Sequence, residues 1–139
     1  MNERTLIDTS AWVRFFRKGK ENRQVADEVE ELLNDEMASY TEPIYLELLV
    51  GAKVPDGLEW LKKSFLQLPI LHVGAEDWRQ ASQLALSLRE SGLRVDIVDL
   101  VVAATAISND VTLFHNDRHF QWIAGVSNLR ERSFLEGKK

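Results

Sequence analysis

Five short apolar runs along the chain have the length and composition of buried strands. They cover residues 4–7, 37–41, 70–73, 111–114 and 129–135. Runs that are apolar throughout are typical of strands in a parallel sheet, which is covered on both faces. The last run carries charged residues at 130–132, which favours a position at the edge of the sheet.

Between these runs, apolar residues recur every three or four positions, as in amphipathic helices. Val25, Val29 and Leu32 are one example of this spacing. Thr9 or Ser10 is expected to cap the first helix. Helices are predicted over residues 11–17, 25–33, 43–51, 58–66, 78–88, 97–108 and 118–123.

Strands that alternate with helices predict an α/β fold around a central parallel sheet. The chain has 139 residues, with no linker, repeat or low-complexity tract. This length suits one domain with a substantial core, so residues 1–139 are expected to form a single domain.

Composition narrows the class of protein. Hydrophobic residues make up 45% and charged residues 28%, as in ordinary globular proteins. No apolar run approaches the roughly 20 residues that span a bilayer, and the N-terminus lacks the features of a signal peptide. Cysteine is absent, which excludes disulfides and thiolate metal sites. We therefore expect a cytoplasmic protein that does not contact membranes.

Four carboxylates stand at or near the ends of predicted elements: Asp8, Glu47, Asp99 and Asp117. Asp8 and Asp117 each follow a strand, and the carboxyl ends of parallel strands share one edge of a sheet. Asp99 lies in the first turn of its helix, where the helix dipole favours negative charge. Asp96, one turn earlier, is a candidate N-cap of the same helix.

Each of these acids also has a local explanation. Asp8 can close an Asx turn, Asp117 can cap the following helix, and Asp99 can form a capping box with Asp96. Glu47 has the weakest local explanation, because its helix is apolar nearly all round. A lone buried carboxylate there would need a cationic partner.

Convergence of these acids would require a metal ion. Two carboxylates about 5 Å apart repel by about 3 kcal/mol at an effective dielectric constant of about 20. A divalent cation removes this repulsion, and carboxylate oxygens are the ligands that Mg²⁺ and Mn²⁺ prefer. Such an ion lowers the pKa of water and stabilises charge on phosphorus oxygens, which suits phosphodiester hydrolysis.

Four sequence blocks resemble those of PIN domains, and most closely those of the VapC-type toxins of toxin–antitoxin pairs. They are LIDTS around Asp8, ELLVG from Glu47, DLVVAATA from Asp99 and NDRHF around Asp117. The blocks occur in the family's order and span roughly residues 4–135.

The resemblance implies a PIN-like, Rossmann-like three-layer sandwich with a central parallel sheet of four to five strands. It also implies a Mg²⁺- or Mn²⁺-dependent endoribonuclease that cuts structured RNA such as tRNA or rRNA. The catalytic, metal-binding acids would be Asp8, Glu47, Asp99 and Asp117. A homodimer and a small antitoxin partner are further implications.

The fourth block departs from the family pattern. Thr usually stands two residues before the fourth acid, and His115 occupies that place here. Asn116 is a candidate to supply the lost polar contact, and Asp96 to replace or supplement Asp117 as a ligand. Thr9 and Ser10 are expected to support the ligands from outside the metal's coordination shell.

The net charge of −5 argues against general nucleic-acid binding, but a local basic patch is present. Arg14, Arg17, Lys18 and Arg118 are candidate contacts to RNA phosphates, although the patch is equally explained as a solvated helix end. The neighbouring aromatic residues belong either to the core or to a dimer face: Trp12, Phe15 and Phe16.

Other functions are compatible with parts of the sequence. A zinc site built on His115 and His119 lacks cysteines and an HExxH motif, and the histidines are better explained as polar surface residues. The segment Asp8-Thr9-Ser10 lacks the second acid that a dehalogenase-like phosphatase or a receiver domain needs, and it lacks the glycines of a dinucleotide-binding turn. The main alternative is a non-catalytic PIN-like module that binds a partner protein.

Overall fold

The structure is a computed structural model that describes residues 3–51 and 57–134. One parallel sheet lies at its centre, with strand order β2-β1-β3-β4. The strands are β1 (Thr5–Ile7), β2 (Ala38–Ser39), β3 (Thr112–His115) and β4 (Glu131–Ser133). The predicted α/β fold with a parallel sheet is confirmed.

Helices cover both faces of this sheet. Every residue of the central strands β1 and β3 is buried, and successive side chains of a strand point to opposite faces. Seven α-helices occur in the part of the chain described: α1 (Thr9–Arg17), α2 (Arg23–Asn34), α3 (Glu42–Val50), α4 (Leu58–Lys63), α5 (Ala75–Glu90), α6 (Ile97–Ser108) and α7 (Arg118–Ala124). The arrangement is a three-layer sandwich.

The strand predicted at 70–73 is reduced to a single parallel bridge between Tyr40 and Ile70. Tyr40 N–H donates to Pro69 O at 3.1 Å, and Leu71 N–H donates to Tyr40 O at 2.7 Å. Pro69 has no N–H to donate, which limits pairing at this edge.

Two other elements differ in extent from the prediction. The helix expected over 58–66 ends at Lys63 and continues as a 3₁₀ turn, Phe65–Gln67. The strand expected over 129–135 is confirmed as an edge strand, but it spans only Glu131–Ser133. Leu135 lies outside the described residues.

The N-cap of the first helix lies one residue before the predicted caps, Thr9 and Ser10. Asp8 has an extended backbone (φ −72°, ψ 159°), and its side chain accepts a hydrogen bond from Ser10 N–H. Asp8 is therefore the N-cap, and the prediction of Thr9 or Ser10 was wrong. The cap begins α1 directly at the end of β1, so the first acid sits at the edge of the sheet.

Trp12 belongs to the core. Its side chain is fully buried, with ring centroids 5.1 Å from Phe65 and 5.7 Å from Trp60. Phe15 and Phe16 are partly buried and pack against the same indole at 5.7 and 6.0 Å. This aromatic cluster accounts for Trp12 without a dimer face.

Among the described residues, no helix is both long enough and apolar enough to cross a bilayer.

Candidate metal centre

Two of the predicted acids lie at the same edge of the sheet. Asp8 directly follows β1, and Asp117 follows β3 by two residues. The two strands are parallel neighbours, with Ile7 in register with Phe114. Asp8 N–H donates to Phe114 O at 3.0 Å, which ties the start of the site to β3.

Asp8 is almost completely buried, with only 4% of its surface exposed. Its Oδ2 accepts hydrogen bonds from Ser10 N–H at 3.0 Å and from Ser10 Oγ–H at 2.6 Å. Burial raises the pKa of Asp8 to about 7; the Ser10 bonds lower it, and the charges of Asp99 and Glu47 raise it further. Asp8 is therefore held where a cation would favour its charged form.

Ser10 also connects the first acid to the fourth block. Its hydroxyl accepts a hydrogen bond from Asn116 N–H at 2.9 Å while donating to Asp8. Asn116 thus contributes through its backbone in this structure. The predicted supporting role of Ser10 stays a prediction, with this double contact as its geometric basis.

Glu47 is not the lone buried carboxylate that the sequence predicted. Its residue is only partly buried, and Thr9 Oγ1–H donates to its Oε1 at 2.6 Å. α3 turns this side chain toward a groove that Asp96 and Asp99 also line. The expectation failed because the apolar surface around Glu47 is itself partly exposed, with Leu46 58% and Val50 87% exposed.

Asp99 and Asp117 are joined through His119. His119 Nδ1 lies 2.9 Å from Asp99 Oδ2, and His119 N–H donates to Asp117 Oδ1 at 2.9 Å. Asp117 is therefore the N-cap of α7, as its local explanation required. Asp117 thus caps α7 and is also linked to Asp99 through His119.

The pKa shifts of Asp99 and His119 are those expected where negative charges lie close together. Burial raises the pKa of Asp99 to about 6, with His119 lowering it and Asp117 and Glu47 raising it. Burial alone would lower the pKa of His119. The hydrogen bond to Asp99 and the nearby charges of Asp117, Asp99 and Asp96 outweigh burial and raise it.

Asp96 is at the N-cap position of α6, yet among the residues described its side chain makes no capping hydrogen bond. One potential ligand atom from each of Asp96, Asp99 and His119 falls within 4.8 Å of the others. The side chain is exposed and lines the groove with Glu47 and Asp99. Its free carboxylate suits a ligand better than a cap.

The histidines of the fourth block are not the polar surface residues that the sequence suggested. His115 is fully buried, and its Nε2 lies 2.6 Å from Glu131 Oε1. Asp117 N–H donates to His115 Nδ1 at 3.0 Å, so Nδ1 is the acceptor in this contact. His115 itself supplies the polar contact that the sequence assigned to Asn116. The strand β3 extends through His115, which is why the ring is buried.

The predicted basic residues lie in separate places. Arg17 and Lys18 are exposed at the end of α1, about 14 Å along the helix from Thr9. Arg118 is exposed beside Asp117 at the start of α7. Arg14 lies over the Phe134 ring, 5.6 Å from its centroid.

The donors in this site fit a hard divalent cation. The carboxylates of Asp8, Glu47 and Asp99 come from three separate elements and interact electrostatically, and burial with mutual repulsion raises the pKa of Asp8 and Asp99. Carboxylate oxygens are typical ligands of Mg²⁺ and Mn²⁺. A cation would remove the repulsion that otherwise opposes this arrangement.

Comparison with known proteins agrees with this geometry. The profile of the PIN domain family matches residues 5–126. The chain is 38% identical to ribonuclease VapC11 of Mycobacterium tuberculosis (strain ATCC 25618 / H37Rv), over 93% of this chain and 98% of that protein. This chain belongs to the VapC ribonucleases of the PIN domain family.

Solved structures share the fold of this PIN domain at low sequence identity. VapBC2 from Rickettsia felis, bound to a DNA fragment from its promoter, matches with a TM-score of 0.74 and 20% identity, covering 94% of this chain and 98% of that one. VapC20 of Mycobacterium tuberculosis, described as a sarcin–ricin loop cleaving toxin, matches with a TM-score of 0.64 and 17% identity, covering 91% and 98%.

Sequence reasoning missed three residues of this PIN domain's site. His119 joins two acids, Glu131 holds His115, and Arg94 lines the groove with Glu47 and Asp99. The burial of His115 could have been predicted, because this residue directly continues the apolar run at 111–114. For Glu131 no local signal exists, since its partner lies 16 residues away on another strand.

Proposed function

We propose that this VapC ribonuclease is a metal-dependent endoribonuclease that hydrolyses phosphodiester bonds. The observation that carries the proposal is the electrostatic coupling of Asp8, Glu47 and Asp99, which come from three different elements. Their charges act on one another, and burial disfavours the charged forms of Asp8 and Asp99. Such a cluster suits cation binding far better than it suits stability alone.

Asp8, Glu47 and Asp99 would hold Mg²⁺ or Mn²⁺, with Asp117 as the fourth acid and Asp96 as a supplement. When bound, the ion supplies Lewis-acid stabilisation of the negative charge that develops on the phosphate. Hydrolysis adds water across a P–O bond of the RNA backbone.

The neighbouring hydroxyls orient the acids. Ser10 donates to one oxygen of Asp8, which leaves the other oxygen for a ligand role. Thr9 does the same for Glu47. Groups that orient metal ligands typically change metal affinity by about 10–100-fold when removed.

The test is cleavage of RNA by the purified protein with Mg²⁺ or Mn²⁺, with and without chelator. We expect chelator to abolish cleavage, and Asp8→Asn and Asp99→Asn to reduce it by at least about 100-fold. Asp27→Asn, an exposed aspartate on α2, is the matched control and should cleave normally. Cleavage that survives both chelator and Asp8→Asn would falsify the mechanism.

A non-catalytic module that binds a partner protein is the alternative function. It predicts no metal-dependent stabilisation, whereas our proposal predicts that Mn²⁺ raises the melting temperature of the wild type. That rise should vanish in Asp8→Asn and Asp99→Asn and persist in Asp27→Asn. The assay separates the two functions without a known RNA.

We propose a small antitoxin as the protein partner. Exposed apolar side chains of Leu46, Val50 and Trp78 line a surface that also includes Thr9 and Glu47. A segment with basic and apolar side chains would complement this mixture of charge and hydrophobic area. The protein encoded by the adjacent reading frame should bind the wild type, and Trp78→Ser should weaken the complex.

Structured RNA such as tRNA or rRNA is the proposed substrate, and the cytoplasm the proposed location. VapC20, a protein of the same fold, is described as cleaving the sarcin–ricin loop, which supports a structured RNA target. Sequencing the RNA ends produced in cells identifies the target. A homodimer is also proposed; light scattering at micromolar concentration should give twice the chain mass.

A further inference from the structure

His119 stands inside the acid cluster, although it was expected on the surface. Its Nδ1 is 2.9 Å from Asp99 Oδ2 and 3.9 Å from Asp117 Oδ1. The ring packs against Trp122 with centroids 5.4 Å apart, which restricts its orientation. The imidazole is therefore a fixed member of the site.

The spacing of three side chains suits one ion. A ring nitrogen of His119 and one carboxylate oxygen from each of Asp96 and Asp99 all lie within 4.8 Å of one another. Around an octahedral ion with bonds of about 2.1 Å, adjacent ligands lie about 3 Å apart and opposite ones about 4.2 Å. The 2.9 Å between His119 Nδ1 and Asp99 Oδ2 is a hydrogen bond in this structure and equals the spacing of adjacent ligands. An ion that bound both atoms would displace the Nδ1 proton to water.

The donor set differs from one made only of oxygen. Carboxylates suit Mg²⁺, Ca²⁺ and Mn²⁺, whereas imidazole nitrogen favours first-row transition metals over Mg²⁺. We propose that a ring nitrogen of His119 ligates the metal together with Asp96 and Asp99, and that it makes the site select Mn²⁺ over Mg²⁺. The inference rests on the proposed function and narrows its choice of metal.

A second role for His119 has to be separated from this one. The ring could act only by donating a hydrogen bond that orients Asp99. His119→Asn separates the roles, because an Asn side-chain amide can keep a donor toward Asp99 while removing the imidazole. His72→Asn is the control, since His72 is an exposed histidine paired with Glu42.

The first measurement is electron spin-echo spectroscopy of the protein loaded with Mn²⁺ alone. We expect ¹⁴N modulation from a directly bound imidazole in the wild type and in His72→Asn, and its loss in His119→Asn. The wild-type spectrum tests the inference even if a variant fails to fold. Modulation that is absent in the wild type, or that persists in His119→Asn, overturns it.

The second measurement is the affinity for Mn²⁺ and for Mg²⁺ by equilibrium dialysis. His119→Asn should weaken Mn²⁺ binding by about tenfold and change Mg²⁺ binding by less than about twofold. Equal losses for both ions mean that His119 only orients Asp99, and they overturn the inference. RNA cleavage that remains sensitive to chelator would then leave the proposed function standing, whereas failure to bind either ion would overturn both.

Discussion

The Asp8 carboxylate is buried between the end of β1 and the start of α1, where it caps the helix through Ser10. Capping uses Oδ2 in hydrogen bonds from the Ser10 N–H and hydroxyl groups. The nearby charges of Asp99 and Glu47 oppose ionisation of Asp8. At the scale of one residue, a structural cap and a metal ligand are therefore compatible uses of the same side chain.

This burial predicts how the metal-free protein responds to pH. The pKa of Asp8 is about 7 in the folded protein against an ordinary 3.8. The protonated form is favoured by folding, so the stabilisation is complete below about pH 4 and is lost as pH rises through 7. The raised pKa values of Asp99 and His119 act in the same direction.

In chelator, we expect the free energy of unfolding to fall between pH 5 and pH 8 by up to about 3 kcal/mol from Asp8. Asp8→Asn should flatten this dependence and exceed the wild type in stability at pH 8. Asp27→Asn should follow the wild-type curve. Urea unfolding at both pH values measures the effect, and parallel curves for Asp8→Asn and the wild type would contradict it.

Lys18 holds an unfavourable backbone conformation at the end of α1. Its φ of 60° and ψ of −162° fall in a region that is almost restricted to glycine. Asn22 Nδ2–H donates to Lys18 O at 2.6 Å, which helps to hold the chain there. This strain sits at a residue predicted to contact RNA.

Lys18→Gly should therefore stabilise the protein by about 1 kcal/mol, because glycine relieves the strain. Lys20→Gly is the matched control in the adjacent 3₁₀ turn, and it should destabilise the protein slightly. Thermal unfolding compares the two. If Lys18→Gly is no more stable than Lys20→Gly, the strain is not significant.

At the scale of elements, the edge strand β4 helps to position the fourth acid. Glu131 of β4 contacts His115 at the end of β3, and His115 accepts from the backbone N–H of Asp117. Two hydrogen bonds therefore connect the edge strand β4 to the backbone of Asp117. A buried histidine can in this way supply the polar contact that the resemblance to PIN domains assigned to a threonine.

His115→Leu should destabilise the protein by about 1–3 kcal/mol, because it leaves Asp117 N–H and Glu131 without this partner. Cleavage should fall as Asp117 loses its position. His115→Thr restores the family residue, whose hydroxyl can accept from the N–H two residues later. We expect it to keep more activity than His115→Leu in a cleavage assay; equal loss in both variants would show that the contact to Asp117 is unimportant.

At the scale of the whole molecule, RNA must approach a chain of net charge −5. Arg118 is exposed next to Asp117, and Arg94 lines the groove with Glu47 and Asp99. Arg17 lies a helix length away, at the opposite end of α1. If the acids form the cleavage site as proposed, the basic residues beside them are better placed for phosphate contacts than Arg17.

Arg118→Ala should raise KM for RNA and reduce the slope of log affinity against log salt by about 0.7–1, the value for one phosphate contact. Lys63→Ala, an exposed lysine on α4 paired with Glu59, is the control and should leave the slope unchanged. Titration of salt in a cleavage assay measures both. Identical slopes for wild type and Arg118→Ala would exclude this contact.

Much of the fold follows from local patterns. The strands and helices around the acids were predicted because apolar periodicity reports burial, as in β3 and α6. The predictions were wrong where secondary structure depends on pairing with a segment far away in the sequence. The segment at 70–73 is apolar enough for a strand, yet it pairs only through Tyr40 and Ile70.

The sequence by itself determined the parallel sheet and the edge at which Asp8 and Asp117 lie, because apolar periodicity and the alternation of strands with helices are local properties of the chain. Only the tertiary structure decided what surrounds those acids. It placed His119 against Asp99, left Glu47 partly exposed and buried His115 against Glu131. Hydrogen bonds and charge interactions depend on distances between residues far apart in the chain, and those distances exist only after folding.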